Sequence, residues 1–268
     1  MIRQRVISAL FIAALLIGAV LGLPAFWSAL ALSVVMLAAS WEWSGFVGSR
    51  RRWVRAAFVA MSIGLCVCWW LITNTPAALR LVLWFALSFW CLALLWVFWM
   101  PQRVNSASVG AAGLLALSLA WLALVRMRMD LQDGDRAVLY ALLIVWLADS
   151  GAYFAGRAWG VRKLAPAVSP GKTWAGMCGG LAACAVLAAL TAWIAGIPVT
   201  SLLLVTLIAG AFSVVGDLTE SLCKRFAGLK DSGSLIPGHG GVLDRFDSLL
   251  AAAPLLLLGI ELLPGLRA

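Results

Sequence analysis

The sequence predicts an all-α protein, a polytopic membrane bundle of about nine transmembrane helices. Hydrophobic residues make up 64% of the 268 residues, charged residues make up 12%, and the mean hydropathy is +1.02. A soluble domain is close to half apolar and a quarter charged. The apolar residues also come in successive blocks of about 18 to 22, a length that crosses a hydrocarbon core of ~30 Å as a helix.

Nine apolar blocks mark the predicted spans in chain order. The first follows Arg3 and Arg5 but is not followed by a cleavage site of the A-x-A kind, so it is predicted to be a retained span and not a signal peptide. Trp41 and Trp43 lie near a span end, where interfacial aromatic residues are expected. The spans are 6–23, 26–47, 56–73, 81–100, 108–125, 137–156, 174–195, 199–216 and 248–264.

The distribution of basic residues predicts the orientation. With the N-terminus inside, 15 of the 20 Lys and Arg residues fall in cytoplasmic segments. The positive-inside rule therefore places the N-terminus in the cytoplasm and the C-terminus outside.

The two halves of the chain differ in their loops. Residues 1–136 have short, plain loops and are predicted to be a transmembrane scaffold. Residues 137–268 contain two long polar segments, 156–173 and 217–247, and are predicted to be the catalytic part of one integral membrane domain.

Several other classes of protein are disfavoured. The six cysteines lie mostly inside apolar blocks without nearby histidines, which argues against a zinc or disulfide framework. The net charge of +9 is scattered between spans, so no nucleic-acid partner is predicted. His239 is the only histidine, which excludes a site with several histidine ligands.

The segment 217–247 contains the densest group of reactive side chains. If the helix continues past Asp217, then Glu220, Ser221 and Lys224 share its face. A second pair of carboxylates stands three residues apart at the start of the last span, at Asp244 and Asp247. Both helix ends are expected to direct carboxylates to one cytoplasm-facing cavity. Carboxylates beside basic residues and glycines are typical of Mg²⁺-dependent phosphoryl or nucleotidyl transfer.

The segment before the seventh span contains a second candidate phosphate site. Gly171-Lys172-Thr173 looks like the end of a P-loop, but the first glycine of that motif and the preceding strand are missing. Ser169 or Thr173 near a helix start, with Lys172 beside it, fits either a bound triphosphate or a plain N-cap.

The roles of His239 and of the acidic residues each allow more than one interpretation. His239 fits three roles: a general base, a hydrogen-bond donor to phosphate or a residue that orients its glycine-rich loop. A role in positioning is favoured over that of a base, because an ionised phosphate nucleophile needs no base. Acidic residues at membrane depth also occur in ion-coupled transporters. The chain has no matching pair of interrupted spans, which an inverted repeat would provide.

At these residues the chain closely resembles the bacterial CDP-diacylglycerol synthase (phosphatidate cytidylyltransferase) family. The family signature is matched without a gap by Ser221, Lys224-Arg225, Lys230-Asp231, His239-Gly240-Gly241 and Asp244-Arg245-Phe246-Asp247. Upstream matches are Asp149-Ser150, Gly156-Arg157 and Ser169-Pro170-x-Lys172-Thr173-Trp174. The resemblance covers about residues 140–250 strongly. One departure is Ala175, where many relatives have Glu or Gln.

The resemblance implies roles for these positions. Asp217 and Asp244 would be the metal carboxylates for Mg²⁺, with the identity of a second cation left open. Lys172, Lys224 and Arg225 would face phosphates, and Asp231 and His239 would complete the catalytic set. The remaining substrate-binding positions would be Asp149, Ser169, Thr173, Ser221, Lys230, Gly240, Gly241, Arg245 and Asp247.

The resemblance also implies the substrates and the location. The chain would transfer CMP from CTP to phosphatidic acid, giving CDP-diacylglycerol and pyrophosphate, at the inner membrane of a bacterium among its lipids. The rival enzyme is a CTP-dependent transferase or a kinase acting on another lipid, such as a polyprenol or an ether lipid. The sequence does not determine the oligomeric state, and a homodimer is one arrangement that it allows.

Overall fold

The structure, a computed structural model, describes residues 14–48, 51–233 and 240–266. The predicted all-α bundle is confirmed, with nine α-helices and one small hairpin in the described residues. The helices are α1 (14–22), α2 (Ala25–Trp43), α3 (Arg52–Ile72), α4 (Pro76–Trp99), α5 (Ser106–Asp130), α6 (Gly134–Trp159), α7 (Trp174–Ala195), α8 (Val199–Phe226) and α9 (Leu243–Leu262).

Seven of the described helices, α2 to α8, are long and apolar enough to cross a membrane, so the chain is a multi-pass membrane protein. The helix α8 continues ten residues beyond the predicted span end at 216 and finishes at Phe226. Its polar last turns are therefore helical. The helical spacing of Asp217, Glu220, Ser221 and Lys224 therefore holds, as predicted.

A β-hairpin between α6 and α7 was not predicted from the sequence. Strand β1 (Lys163–Ala165) pairs antiparallel with β2 (Ser169–Thr173), and Lys163 lies opposite Thr173. Thr173 then caps α7, because its Oγ1 accepts the N–H of Gly176 at 3.1 Å. The N-cap interpretation of Thr173 is thus confirmed.

The described chain divides into two compact units. The first consists of Met1–Ile72, Val104–Leu139 and Cys223–Phe246, and the second of Thr73–Arg103, Tyr140–Leu222 and Asp247–Ala268. Each unit therefore combines segments from both sides of residue 137. The division into a scaffold half and a catalytic half stays a prediction.

In the first unit α2, α3 and α5 pack together, and two tryptophan indoles form hydrogen bonds between α2 and α5. The indole N–H of Trp43 donates to the carbonyl of Val109 at 2.9 Å, and that of Trp121 donates to Ser33 Oγ at 2.8 Å. Trp43 is fully buried, so its expected place in an interfacial belt is wrong. An indole can be buried in this way because its single donor is satisfied.

In the second unit α6 and α7 approach each other through small residues. A Cβ atom added at Gly180 would lie 2.6 Å from the carbonyl oxygen of Ala148, and one added at Gly179 would lie 2.8 Å from that of Gly151. Only glycine fits such backbone contacts, which are common where membrane helices pack.

The start of α9 approaches α8 in the same way. A Cβ atom at Gly216 would lie 2.5 Å from the carbonyl oxygen of Asp247. This close approach brings Asp247 beside the turn of α8 that carries Asp217.

Candidate active site

A cavity of about 500 Å³ lies in the second unit. Its walls come from α6, the hairpin, α7 and α8, and most of them are apolar. The polar side chains that line it are those of Asp149, Tyr153, Arg157, Lys172 and Thr173. The cavity is therefore a mostly apolar chamber, and its basic and acidic side chains come from α6 and the hairpin.

Lys172 is a cation of this cavity that is held in position by its neighbours. It stands at the end of β2, one residue before the Thr173 cap, so the hairpin and the start of α7 fix its backbone. Its Nζ lies 2.5 Å from Asp217 Oδ2, and both side chains are 24% exposed. Ser221 Oγ, one helical turn further on, donates to Asp217 Oδ1 at 3.2 Å. A partly exposed pair of this kind is held in place but still open to a ligand.

Asp247 lies near several other acidic side chains of the second unit, including Asp217. Burial raises the pKa of the Asp247 carboxyl well above its usual range. The neighbouring carboxylates of Asp217, Glu220 and Asp149 raise this pKa further. The positive charge of Lys172 lowers it. Asp247 thus lies within electrostatic range of three other acidic side chains and of one lysine. An arrangement with this excess of negative charge favours bound cations.

The first unit contains a second ion pair, between Lys224 near the end of α8 and Asp244 in the first turn of α9. Lys224 Nζ donates to Asp244 Oδ1 at 2.7 Å, and the side chains are only 11% and 12% exposed. The other oxygen, Oδ2, accepts the N–H groups of Ser232 at 2.9 Å and Gly241 at 2.8 Å. Both oxygens of Asp244 are therefore engaged.

The pKa of Asp244 reflects these contacts. Burial by itself raises it, but the hydrogen bond from Lys224, the N–H donors of Gly241 and Ser232 and the positive charge of Lys224 outweigh burial. The pKa consequently lies below its ordinary value, and the group is a carboxylate at neutral pH.

The structure explains why positions 240 and 241 of the signature are glycines. Gly240 has a φ of +81°, which disfavours any residue with a side chain, and an added Cβ would lie 2.7 Å from Asp244 Oδ2. At Gly241 an added Cβ would collide with Ser232 and Glu42. The N–H of Gly241, a position that the family resemblance assigns to substrate binding, donates to Asp244.

Sequence reasoning missed Glu42, which is buried near the end of α2 with 2% of its surface exposed. Its carboxylate accepts hydrogen bonds from Ser232, Val242 and Leu243. One signal was available, because Glu42 is the only acidic residue of an otherwise apolar span.

The other predicted residues occupy more open positions. Ser169 is partly buried in the hairpin, whereas Asp149 is exposed in α6. Four residues of the signature segment are exposed: Arg225, Lys230, Asp231 and Arg245. His239 lies outside the described residues. The prediction that Asp217 and Asp244 share one cavity stays a prediction, since they belong to different units.

Among the described residues, no three side chains of the His, Cys, Asp or Glu type stand together as a metal cage. Mg²⁺ in sites that bind nucleotides needs only one or two carboxylates, because substrate phosphates and water fill its other positions. The partly exposed Asp217 suits this mode, whereas Asp244 would have to exchange some of its present donors.

Fold and site together define a multi-pass helical membrane protein with lysine–aspartate pairs at its polar helix ends, one of them beside a cavity. The sequence profile described as the Cytidylyltransferase family matches residues 3–263. The chain belongs to this family.

Two curated relatives match nearly the whole chain. A protein of Haemophilus influenzae named phosphatidate cytidylyltransferase is 40% identical over 284 residues, covering 95% of this chain and 96% of the relative. A protein of Pseudomonas aeruginosa with the same name is 40% identical over 262 residues, covering 95% of each. One of Bacillus subtilis, also so named, is 50% identical over 110 residues, or 40% of this chain. The family resemblance predicted from the signature is thus confirmed.

Proposed function

We propose that this chain is a phosphatidate cytidylyltransferase, which transfers CMP from CTP to phosphatidic acid. The observation that carries the proposal is the 40% identity, over 95% of the chain, to relatives of that name. The cavity of the second unit supports it, because an apolar chamber with a lysine at its wall suits a lipid with a phosphate head group.

The chemistry requires no protein nucleophile. An oxygen of the phosphatidate phosphate attacks the α-phosphorus of CTP, and a new P–O bond forms. The bond from the α-phosphorus to the bridging oxygen breaks, and pyrophosphate leaves with its electron pair. The attacking phosphate monoester is largely ionised near neutral pH, so no general base is needed. Catalysis then consists mainly of positioning and charge stabilisation.

Lys172 is the residue best placed to act on phosphate in this proposal. Its ammonium group lines the cavity and is held by Asp217, so it is oriented before a substrate arrives. The N-terminus of α7, directly after Thr173, adds the positive end of a helix dipole, which favours an anion nearby. Arg157, whose guanidinium donates to the Tyr153 hydroxyl at 3.1 Å, provides a second cation at the cavity wall.

We also propose that the chain works with Mg²⁺ bound together with CTP. Asp217 would hold the metal, and the family resemblance implies Asp244 as a second ligand. Bound Mg²⁺ would neutralise phosphate charge and orient the triphosphate. The repulsion between Asp217 and Asp247 supports this assignment, because a bound cation would relieve it.

Activity should be measured first with purified protein, CTP, Mg²⁺ and phosphatidic acid. Labelled CDP-diacylglycerol and pyrophosphate are expected in equal amounts, and excess EDTA should abolish both. In a lipid panel, faster transfer to a polyprenol phosphate or an ether lipid would identify the rival enzyme. Full activity in EDTA would contradict the metal assignment. Ion flux into liposomes without CTP, and no product with it, would favour a transporter.

The proposal places the protein in the bacterial inner membrane with both polar segments in the cytoplasm. Cysteines introduced at Ser169 and Lys230, in a background without the native cysteines, should react with an impermeant thiol reagent in inverted vesicles. A cysteine at Asp133, in the short loop between α5 and α6, is the matched control and should react only in right-side-out spheroplasts. The reverse pattern would overturn the orientation.

A further inference from the structure

A buried glutamate of α2 contacts the segment that carries Asp244. Glu42 is the only acid in α2 and is 2% exposed, although an unpaired buried carboxylate is costly. Its neighbours on the same helix are apolar or small. The group therefore depends on donors from elsewhere in the chain.

Three donors come from residues about 200 positions away. The backbone N–H of Leu243 donates to Glu42 Oε2 at 2.8 Å, and that of Val242 donates to Oε1 at 3.0 Å. Ser232 Oγ donates to Oε2 at 3.0 Å. A carboxylate with three such bonds is well compensated for its burial.

The two backbone donors belong to the start of α9. The first N–H groups of a helix have no partner inside the helix, and the helix dipole favours a negative charge there. Glu42 satisfies this need at Leu243, the first residue of α9. It therefore fixes where the helix that carries Asp244 begins.

Ser232 extends the connection to Asp244 itself. While its hydroxyl donates to Glu42, the same oxygen accepts the N–H of Asp244 at 3.3 Å. Its own N–H donates to Asp244 Oδ2 at 2.9 Å. Gly241 closes the arrangement, since its N–H binds Asp244 and its Cα packs against Glu42 and Ser232.

We propose that Glu42 is a positioning residue, which holds Ser232, Gly241 and the start of α9 so that Asp244 meets Lys224. The inference rests on the proposed role of Asp244 in the transfer reaction. Glu42 itself touches no reacting group in this scheme. A simpler alternative is that Glu42 only stabilises the fold as a distant helix cap.

The first test is independent of activity. Glu42→Gln keeps the size of the side chain but places an NH₂ group where an acceptor is needed. Hydrogen exchange at the amides of Val242 and Leu243 is expected to rise about tenfold or more in this variant. Glu261→Gln is the matched control, because Glu261 is another buried glutamate, in the last turns of α9. It should leave exchange at these two amides unchanged.

The second test is kinetic. Glu42→Gln should lower kcat about tenfold to a hundredfold, because a small displacement of a catalytic group is costly, while Glu261→Gln keeps most activity. If Glu42 acts through Asp244, the double variant Glu42→Gln/Asp244→Asn should be no slower than Asp244→Asn alone, within about twofold. If the role of Glu42 is purely structural, the activity losses of the two single variants should multiply in the double variant. Hydrogen exchange should then also rise at amides throughout the bundle.

The outcomes separate this inference from the proposed function. Unchanged exchange at Val242 and Leu243, or multiplying losses, would overturn the positioning role while the enzyme assay still stands. If Asp244→Asn kept full activity, the proposed role of Asp244 would be wrong. Glu42 would then be an anchor without catalytic consequence, and the inference would be overturned with it.

Discussion

Asp217→Asn is expected to lower turnover about 10²–10³-fold while the protein still inserts and folds. Asparagine keeps the size of the side chain and an oxygen for the Ser221 hydroxyl, but it loses the charge that faces Lys172 and a bound cation. The initial rate should be measured over a Mg²⁺ titration, because a weakened metal site would be partly rescued by high Mg²⁺.

Asp130→Asn is the matched control for this variant. Asp130 also forms an ion pair, with Arg126 at 3.1 Å, but it lies at the end of α5 in a loop region predicted to be outside. Near-normal activity is expected. If Asp217→Asn kept more than about half of the wild-type rate at every Mg²⁺ concentration, against the hundredfold loss expected, the assignment of Asp217 to the metal would be wrong.

Asp244→Asn is expected to reduce both activity and stability. Turnover should fall about a hundredfold if Asp244 is a catalytic carboxylate. The free energy of unfolding should fall by about 3 kcal/mol, because Lys224 is left as a buried charge without its partner. Thermal unfolding in detergent measures the second effect, and the labelled-CTP assay measures the first.

The double variant Lys224→Met/Asp244→Leu separates the two effects. Replacing both members of a buried pair by apolar residues removes the uncompensated charge, so much of the lost stability should return. Activity should not return, since neither charged group is present. If stability and activity both returned, the ion pair would have a structural role only. If stability did not return, the N–H donors of Ser232 and Gly241 would be the larger part of what Asp244 contributes to the free energy of unfolding.

Local patterns in the sequence predicted much of this molecule. The apolar blocks identified the helices, and the i, i+4 spacing of Asp217 and Ser221 predicted a shared face that their hydrogen bond confirms. Thr173 was correctly placed at a helix start. These features depend on neighbours within one or two helical turns, which a sequence displays directly.

Features that depend on distant partners were not predicted. The hairpin is held by short strands of three and five residues, which carry no recognisable alternation. Trp43 is buried because α5 offers it the carbonyl of Val109, 66 residues away. Glu42 finds its donors about 200 residues along the chain. Nothing in the local pattern around either residue specifies such partners.

The glycine contact between α6 and α7 also restricts how a lipid with two acyl chains can approach the cavity. A methylene group needs about 3.5–4 Å to each neighbouring carbon atom. At Gly176, Gly179 and Gly180 even one added carbon would lie 2.6 to 2.9 Å from a backbone oxygen of α6. Hydrocarbon therefore cannot pass between these two helices along this stretch. In the proposed function the acyl tails would have to reach the chamber past another border, and Val214 of α8 forms an apolar part of its lining outside the contact between α6 and α7.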